Sequence, residues 1–504
     1  MTQFEELIGF LLVAVLLAAA ARKIGAPYPA FLALIGAVLA FLPGMPRLSI
    51  DPEVVLALFV APVLLDAAYD ASPRDLRDNW VAVASLAVGT VLLTTLVVGV
   101  VARSLVPAMP WAAAIALGAI VSPPDAAAAI PVLRQLRPPH RILTILQGES
   151  LLNDATALLI YRLAIGALAM SSFSVRAVTP TILLVLAGSV VAGLLLARLT
   201  LLWTNRVRDV PTATILQFVS TFGVWILADR LGLSAILTMV TFAIAVARRA
   251  PERTPARIRI PSYAVWETAV FVLNVLAFLF IGLQVRPILS RLAPDERARY
   301  LFVAAAVLLV VIVVRIVWVM THNSIARWKN RVFGFHPRRR SMGRPTLGSG
   351  IVISWAGMRG IVTLAAALAL PEETAAGPFP YRDLILVTAF FVVFGTLVLQ
   401  GLTLKPLVLA LPLRDDNPVE RETRFARAHL EQISLQSGDP RPEKAQREGS
   451  REATNQRVLR LEALRLQREA LQDLREREEI GDDAFHRLEW ELDIAELEIT
   501  SRSD

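Results

Sequence analysis

Two acidic side chains lie in a stretch of sequence that otherwise resembles a membrane-spanning helix, GESLLNDATALLIYRLA at 148–164. Ser150 and Asp154 are four residues apart and share one face of a helix, and Glu149 and Asn153 share the adjacent face. A hydroxyl beside a carboxylate suits a small hard cation, whereas a carboxylate beside an amide suits the bracing of a neighbouring helix. An ionisable group at mid-membrane is costly, so each is a functional candidate. The alternative is a buried hydrogen-bond network that only holds helices together.

Asp125 lies in a second apolar segment, directly after Pro123 and Pro124. Proline removes a backbone donor and clashes with the preceding turn, so the two prolines predict a break in the helix. A break at membrane depth leaves carbonyl groups that protein or a wet cavity must satisfy. We expect these carbonyls and the Asp125 carboxylate to be cation ligands. A simple proline kink with an aspartate that caps the next helix is the alternative.

The segment 350–370 has three glycines around Arg359 and predicts a second interrupted helix. The two interrupted segments are the fifth and twelfth apolar spans, and such positions point to a transporter binding site between inverted repeats. Arg359 keeps its proton, and a buried guanidinium needs an anionic partner. Glu149 or Asp66 is the expected partner.

The elements that carry these residues are apolar runs of about 20 residues, the length that crosses a hydrocarbon layer of about 30 Å. With 504 residues and 55% hydrophobic content, the sequence predicts an all-α polytopic membrane protein. The net charge of +8 comes from arginines between the apolar runs, so it indicates loops at a membrane and not binding of nucleic acid. The absence of cysteine excludes disulfides and thiolate metal sites. We predict thirteen spans: 7–21, 28–43, 53–70, 80–106, 111–133, 142–170, 178–203, 211–229, 232–247, 264–284, 300–320, 350–370 and 383–412.

Charge order predicts an N-terminus outside the cell. The first apolar run is preceded by MTQFEE and followed by RKIGAP, the reverse of the charge order of a cleaved signal peptide. With thirteen spans, the loops assigned to the inside carry roughly 21 Lys and Arg residues against roughly 8 outside, in agreement with the positive-inside rule. The compact loops suggest the cytoplasmic membrane of a bacterium, with the C-terminal tail in the cytoplasm.

The composition changes to charged and polar at about Arg414, which divides the sequence into a transmembrane domain at 1–412 and a cytoplasmic helical tail at 413–504. The segment SGDPRPEKAQREGS predicts a flexible connector. After it, leucines near helical spacing and the segment DAFHRLEWELDIAELEI predict two amphipathic helices. We expect the tail to pack on itself, on the loops or on a second subunit. A solvated helical hairpin without a regulatory role is the alternative.

Four segments, in this order and spacing, resemble the NhaP/NHE-type sodium–proton antiporters. They are APVLLDAAYDASPRDLR, SPPDAAAAIPVLRQL, GESLLNDATALLIY and WAGMRGIVTLAAALALP, and the resemblance covers about residues 5–412. It implies thirteen helices, a mobile core domain beside a dimerisation domain, and alternating access in a homodimer embedded in lipid. It implies Na⁺ and H⁺ as partners, no cofactor and no enzymatic reaction.

The resemblance also assigns roles to single residues. Asp154 resembles the essential carboxylate that holds the cation or the proton, and Asn153 resembles the amide partner found in electroneutral members. Asp125 resembles the acid of the broken helix and Ser150 a ligand hydroxyl. Asp125, Ser150 and Asp154 are therefore the expected ligands of transported Na⁺.

Three further residues have supporting roles in the family. Glu149 and Arg359 resemble a buried ion pair that steadies the core, and Asp66 resembles an acid near the asparagine with a proton-linked or structural role. The family commonly has Thr-Asp-Pro at the break, where this chain has Pro124, Asp125 and Ala126. The threonine hydroxyl is absent, so the transported ion stays open between Na⁺, K⁺ and Li⁺.

These residues predict exchange of one Na⁺ for one H⁺ by competition at Asp125 and Asp154. A K⁺/H⁺ antiporter on the same fold is the alternative, and a cation channel or a membrane pH sensor is the alternative from another class. A channel would more naturally show a repeated filter segment or rings of acids, which this sequence lacks. An intramembrane aspartyl protease typically has a Gly-x-Gly-Asp string, and neither Asp125 nor Asp154 lies in such a string. An organic-anion transporter would need a deep cation other than Arg359, which Glu149 is expected to neutralise.

Other charged residues rank second. Glu267 either caps the start of its helix, the interpretation that we favour, or lines a funnel. Arg162 and Arg315 lie toward the ends of predicted spans, where long side chains can reach the membrane surface. The five histidines fall in predicted inside loops or the tail, where they could sense cytoplasmic pH, although scattered loop histidines are usually only solvated. They are His140, His322, His336, His429 and His486.

Overall fold

The chain is almost entirely helical in its computed structural model. The structure describes residues 2–42, 51–169, 175–204, 206–207, 209–290, 292, 294–332, 344–374, 377–413, 417–436 and 450–501. The helices are α1 (Thr2–Lys23), α2 (Tyr28–Leu39), α3 (Pro52–Val55), α4 (Ala61–Tyr69), α5 (Pro73–Asp78), α6 (Trp80–Ala84), α7 (Val91–Leu105), α8 (Trp111–Val121), α9 (Ala126–Leu136), α10 (His140–Ala169), α11 (Val175–Thr204), α12 (Val210–Arg230), α13 (Ala235–Arg253), α14 (Ala256–Leu283), α15 (Val285–Ser290), α16 (Pro294–Val332), α17 (Leu347–Trp355), α18 (Ile361–Leu368), α19 (Arg382–Ala410), α20 (Pro418–Gln436), α21 (Ser450–Glu476) and α22 (Asp482–Ser501).

Two short features complete the secondary structure. The π-helical segments Leu56–Val60 and Ser85–Thr90 join α3 to α4 and α6 to α7, so that each set forms one longer helical run. The strands β1 (Glu373–Thr374) and β2 (Gly377–Pro378) pair in antiparallel orientation between α18 and α19.

Nine helical segments in the described part of the chain are long and apolar enough to cross a membrane. They are Pro52–Tyr69, Trp80–Leu105, Trp111–Leu136, His140–Leu168, Thr179–Thr204, Val210–Arg230, Ala256–Ser290, Glu296–Val332 and Arg382–Ala410. Helix α2 is apolar but has only 12 residues, and α17 and α18 are halves of 9 and 8 residues. The chain is a polytopic helical membrane protein, and the number thirteen stays a prediction.

Helix packing divides the membrane part into two groups. The core bundle consists of α5–α10 and α16–α19, and the scaffold bundle consists of α1–α4 and α11–α14; within each group the helices pack chiefly on one another. Glycines allow the closest approaches. A Cβ on Gly118 would lie 2.4 Å from the Thr95 carbonyl oxygen, and one on Gly282 would lie 2.3 Å from the Ala33 carbonyl oxygen. These contacts hold α7 on α8 in the core bundle and α2 on α14 in the scaffold bundle.

Two helices of the core bundle are interrupted at the predicted places. Helix α8 ends at Val121 and α9 begins at Ala126, with the two prolines in the extended turn between them. Helix α17 ends at Trp355 and α18 begins at Ile361. Each break removes helical hydrogen bonds, so backbone groups at these four helix ends need other partners.

The tail helices α20, α21 and α22 pack around an apolar cluster of their own. Leu464, Leu471 and Leu474, which stand near helical spacing in the sequence, are buried in it. The tail also contacts the membrane part, chiefly through α22 on α14. The predicted connector is 437–450, of which 437–449 lie outside the described residues and Ser450 begins α21. His336 also lies outside the described residues.

Candidate functional site

The two helix breaks contact each other at Asp125. Its backbone N–H donates to the carbonyl of Met358 at an N–O distance of 2.7 Å. Its carboxylate Oδ1 accepts from the backbone N–H of Ala127 at 2.8 Å and so caps α9. A Cβ on Gly360 would lie 1.6 Å from the other oxygen, Oδ2. The second break therefore leaves room for the Asp125 carboxylate because residue 360 has no side chain.

Helix α10 lies against the first break and is held there by two polar side chains. Ser150 Oγ accepts a hydrogen bond from the backbone N–H of Ala126 at 3.3 Å, and Asn153 Nδ2 donates to the carbonyl of Pro124 at 2.6 Å. Asn153 Oδ1 is buried and has no hydrogen-bond partner among the described residues. A buried acceptor of this kind is costly unless a proton donor or a cation satisfies it.

Asp154 is buried, with 9% exposure, and its carboxylate makes no hydrogen bond or ion pair within the described part of the chain. Asp125 lies near enough for the two negative charges to repel each other. A buried carboxylate without a partner is stable only when a proton or a cation neutralises it. The structure thus brings together two carboxylates, an amide oxygen and a hydroxyl, which are oxygen ligands of the kind that hold a hard cation.

Glu149 pairs with Arg315, and the predicted pair with Arg359 is wrong. Arg315 Nη1 and Nη2 donate to Glu149 Oε1 and Oε2 at 2.5 and 2.9 Å, and Nη2 also donates to the carbonyl of Ile353 at 3.0 Å. The two side chains are 0 and 1% exposed. Because α16 continues to Val332, Arg315 lies in mid-helix and not at an end from which it could reach the membrane surface.

Backbone carbonyls hold the guanidinium of the fully buried Arg359, which forms no ion pair with a carboxylate among the described residues. Its Nε and Nη2 donate to the carbonyls of Val121 and Ser122 at 3.1 and 3.2 Å, and Nη1 donates to the carbonyl of Gly357. Its backbone N–H donates to Thr396 Oγ1 at 3.0 Å. The C-terminal end of α8 has carbonyls without helical donors and the negative end of a helix dipole. The guanidinium therefore satisfies and neutralises the end of the broken helix.

Asp66 lies outside this cluster. It belongs to α4 of the scaffold bundle and makes no hydrogen bond with the site residues in the described part of the chain. The charges that act on it are those of Asp70, Arg134 and Glu267. Glu267 is exposed and lies in the interior of α14, so its predicted role as a helix cap is wrong. The helix begins earlier, in the basic segment that precedes the apolar run.

The sequence does not single out Arg315 and Gly360 as parts of the site. For Arg315 a signal was present, because no proline or glycine interrupts the sequence from 295 to 333 and the helix can continue through the polar residues after 320. The same continuation puts His322 in α16 and not in a loop. For Gly360 no local signal exists, since only the contact between the two breaks shows that it faces Asp125.

The chain matches known transporters over most of its length. A family model described as "Sodium/hydrogen exchanger, transmembrane" matches residues 10–410. An uncharacterized Na(+)/H(+) exchanger of Mycobacterium tuberculosis is 30% identical over 513 residues, which cover 94% of this chain and 92% of that protein. The sodium, potassium, lithium and rubidium/H(+) antiporter of Bacillus pumilus is 30% identical over 392 residues, which cover 75% of this chain and 57% of that protein.

A solved structure shares the fold. The sodium proton antiporter MjNhaP1 from Methanocaldococcus jannaschii, at pH 8, aligns with a TM-score of 0.59 and 18% identity, covering 82% of this chain and 99% of that chain. At this identity the likeness concerns the fold alone. Because the family model and the Mycobacterium relative both extend over most of the sequence, the chain belongs to the sodium/hydrogen exchanger family, as its resemblance to the NhaP-type antiporters predicted.

Proposed function

We propose that the chain is a secondary transporter that exchanges Na⁺ for H⁺ across the membrane. The observation that carries this proposal is Asp154, a buried carboxylate without a protein partner in the described part of the chain, beside the crossing of two broken helices. A proton or a cation has to neutralise this group, and the two compete for the same oxygens. Membership of the sodium/hydrogen exchanger family supports the proposal.

Competition at Asp154 and Asp125 is enough to couple the two ions. Burial and a nearby negative charge both favour the protonated form of a carboxyl, so such a pair binds a proton readily, and the proton belongs to the pair. When the pair is deprotonated, it offers Na⁺ its carboxylate oxygens together with those of Ser150 and Asn153. When it is protonated, it releases the cation. Exchange follows if the site changes sides only while it is loaded.

We propose a ratio of one proton to one cation. Asn153 is neutral where a second acid could stand, and the Glu149 carboxylate is held by the two terminal nitrogens, Nη1 and Nη2, of Arg315. Asp125 uses one of its carboxylate oxygens, Oδ1, to cap α9. Asp154 is therefore the carboxylate that binds a proton and a cation in turn. One-for-one exchange is electroneutral, so its rate should not depend on membrane potential.

We propose alternating access by movement of the core bundle against the scaffold bundle. The site residues on α9 and α10 and both helix breaks belong to the core bundle, which can therefore carry the site as a unit. The same proposal includes inverted repeats that relate the two breaks and a homodimer that forms through the scaffold bundle. It also places the N-terminus outside the cell and the tail at the cytoplasmic face of the cell membrane. Helix α11 of the scaffold bundle exposes Leu183 and Leu184 at 62 and 71%, which supports a surface for lipid or for a second copy.

Sodium is the proposed cation, with K⁺ exchange on the same site as the alternative. The Mycobacterium relative is called a Na(+)/H(+) exchanger, and the name of the Bacillus relative adds potassium, lithium and rubidium. Pro124 stands where the family commonly has a threonine, and its carbonyl is already bonded to Asn153. A cation site with fewer fixed ligands discriminates less by ion size, so K⁺ and Li⁺ belong in the test.

Exchange in liposomes with an imposed pH gradient tests the proposal. Purified wild type should collapse the gradient when Na⁺ is added, and Asp154→Asn should not, because an amide does not take up the proton. Asp229→Asn is the matched control, since Asp229 is a half-exposed carboxylate paired with Arg162 and its loss should leave the rate unchanged. The ranking of Na⁺, Li⁺ and K⁺ names the cation. Repetition at clamped membrane potentials tests the ratio.

Two outcomes would count against this function. Equal collapse of the gradient by the Asp154→Asn variant would place the exchange elsewhere in the chain. Folded wild type that moves no protons with any of the three cations would exclude the antiporter. An electrical recording would then separate a cation channel, which carries current, from a pH sensor, which does not.

A further inference from the structure

A small cavity lies inside the core bundle, and none of the four candidate cation ligands lines it. Its volume is about 30 Å³. Because a cavity of about 10–15 Å³ holds one water molecule, there is room for about two waters or for one small ion. The polar side chains in its lining come from α10, α16 and α17, and none of the described lining residues is acidic. They are Arg141, His322, Asn323 and Ser349.

Arg141, the second residue of α10, is half-buried and has no anionic partner. Its Nε donates to Asn79 Oδ1 at 3.1 Å, and the side chain makes no ion pair within the described part of the chain. Asn79 therefore holds one edge of the guanidinium and leaves the terminal nitrogens Nη1 and Nη2 free to donate. A guanidinium that is partly removed from water without an anion is costly for the fold.

The acids at this end of α10 are engaged with other cations. Asp75 of α5 is bonded to Arg74 at 3.2 Å and to His140 Nε2 at 3.1 Å. Asp483 of the tail lies 3.5 Å from His140 Nδ1. Neither acid pairs with Arg141, so the charge of this arginine is not neutralised by the described residues.

His322 brings a second donor to the cavity from α16. Its imidazole is half-buried and makes no hydrogen bond in the described part of the chain. The charged group that acts on it is Arg141. An imidazole carries at least one N–H in either protonation state, so it can donate to an anion whether or not it is charged. One anion in the cavity would therefore satisfy both side chains.

The surroundings of the cavity are positive. The sequence contains no Asp or Glu from 297 to 371, a range that includes all of α17 and the lining residues of α16. The link at 333–343 lies outside the described residues, and its sequence holds three arginines and His336 but no acid. Helices α10 and α17 also begin beside the cavity and direct the positive ends of their dipoles there. This charge favours an anion and opposes a second cation site.

The walls of the cavity suit a small monovalent anion. Asn323 Nδ2 already donates to the carbonyl of Thr346 at 2.9 Å, so Arg141 and His322 are the donors that remain. A phosphate group carries about −1.5 to −2 charges and three acceptor oxygens, which two donors cannot satisfy. One guanidinium matches a single negative charge. Apolar residues form most of the remaining lining, and they include Leu86, Ile142, Ile145, Val319 and Ile353.

We propose that this cavity binds one chloride ion, held by the guanidinium of Arg141 and an N–H of His322. The bound ion neutralises the charge at the start of α10 and joins that helix to α16 and α17. Chloride is thus a structural ligand of the core bundle at a site separate from that of the transported cation. The inference goes beyond the proposed exchange and does not depend on it.

Thermal unfolding of the full chain in a neutral detergent tests the site. Chloride replaces gluconate stepwise at constant ionic strength and pH 7, because gluconate is too large for the cavity. The unfolding midpoint of wild type should rise along a saturation curve, since a ligand that binds only the folded state stabilises it. The neutral detergent supplies no anionic head group. A midpoint that does not change with chloride, or that rises without saturation as in a general salt effect, would overturn the proposal.

Charge variants show whether Arg141 holds the ion. Arg141→Gln should abolish the saturable rise, and in gluconate it should unfold no earlier than wild type because the charge without a partner is gone. A merely structural role of Arg141 predicts instead the same loss of midpoint in both salts. Arg141→Lys keeps the charge and should retain the rise, with a half-saturating concentration about two- to ten-fold higher. Arg331→Gln is the matched control, because Arg331 is an exposed arginine of α16 that does not line the cavity. It should respond to chloride as wild type does.

Bromide locates the site directly, because it replaces chloride and scatters X-rays anomalously. Crystals grown with bromide should show an anomalous peak beside Arg141 and His322, and crystals of Arg141→Gln should lack it. His322→Ala should raise the half-saturating concentration about two- to ten-fold, as expected for the loss of one hydrogen bond to a charged group. A saturable rise that persists in Arg141→Gln, or a bromide peak elsewhere with none in this cavity, would overturn the assignment.

Discussion

Arg315 and Arg359 show two ways to place a guanidinium in the interior of a membrane bundle. Arg315 has a carboxylate partner, Glu149, at 2.5 and 2.9 Å. Arg359 has carbonyl partners at the end of α8 and in the second break. Because the C-terminal end of a helix carries partial negative charge, it can stabilise an arginine without an acid. The sequence places both arginines in apolar runs, but it does not show that Arg315 is buried or which of the two takes Glu149.

The Glu149–Arg315 pair should be measurable as an energetic coupling. Glu149→Gln should lower the free energy of unfolding by about 3–5 kcal/mol, because it leaves a buried guanidinium without a carboxylate. Glu149→Gln/Arg315→Met should recover most of that loss. Asp229→Asn, which breaks an exposed pair with Arg162, should cost at most about 1 kcal/mol. Denaturant unfolding in detergent measures these values, and a double variant as unstable as the single one would contradict the pair.

At the scale of elements, the two interrupted helices determine the site. Prolines in one segment and glycines in the other predict both breaks, since proline removes a helical hydrogen bond and clashes with the preceding turn, and glycine destabilises a helix interior. The contact between the breaks is a tertiary feature: the backbone N–H of Asp125 reaches the carbonyl of Met358, and its carboxylate lies against Gly360. Each break thus supplies backbone partners that the other lacks.

Gly360→Ala should disturb this crossing. The new methyl group would lie 1.6 Å from Asp125 Oδ2, so the carboxylate or the second break has to move. Displacement of site groups by about 1 Å commonly costs rate factors of ten or more, and we expect exchange to fall at least about ten-fold. Gly166→Ala on α10 is the control, because a Cβ there meets nothing within 4 Å. Comparable rates for the two variants in the liposome assay would show that the crossing is not needed.

At the scale of the whole molecule, two bundles and a tail meet at the side where α5 and α10 begin. Asp75 is central to that meeting point. Burial raises the pKa of its carboxyl, but the hydrogen bond with His140 and the charge of Arg74 outweigh this and bring the pKa below the ordinary value of 3.8. A carboxyl whose pKa falls on folding stabilises the folded state above its unfolded pKa. That stabilisation is lost as the pH falls through the folded pKa.

Asp75→Asn should therefore lower the thermal unfolding midpoint at pH 7, and the difference from wild type should shrink as the pH falls below 3.8. Asp473→Asn, at a carboxylate that is 51% exposed, should change the midpoint little at any pH. Calorimetry or tryptophan fluorescence in detergent records both series. A deficit of Asp75→Asn that stays constant down to the lowest pH would show that the charge of Asp75 is not what stabilises the fold.

The sequence by itself determined the class of the protein, its family, both helix breaks and the residues around Asp154, because apolar runs, prolines, glycines and the ESLLND string are local signals. The tertiary structure decided the rest. It placed Glu149 on Arg315, Arg359 on the end of α8, Gly360 on Asp125 and Asp66 away from the site. It also placed the tail across both bundles. These pairings join residues far apart in the chain, and several partners are available to each charged group. Only the packing of whole helices selects among them, because that packing fixes which groups are buried within reach of one another.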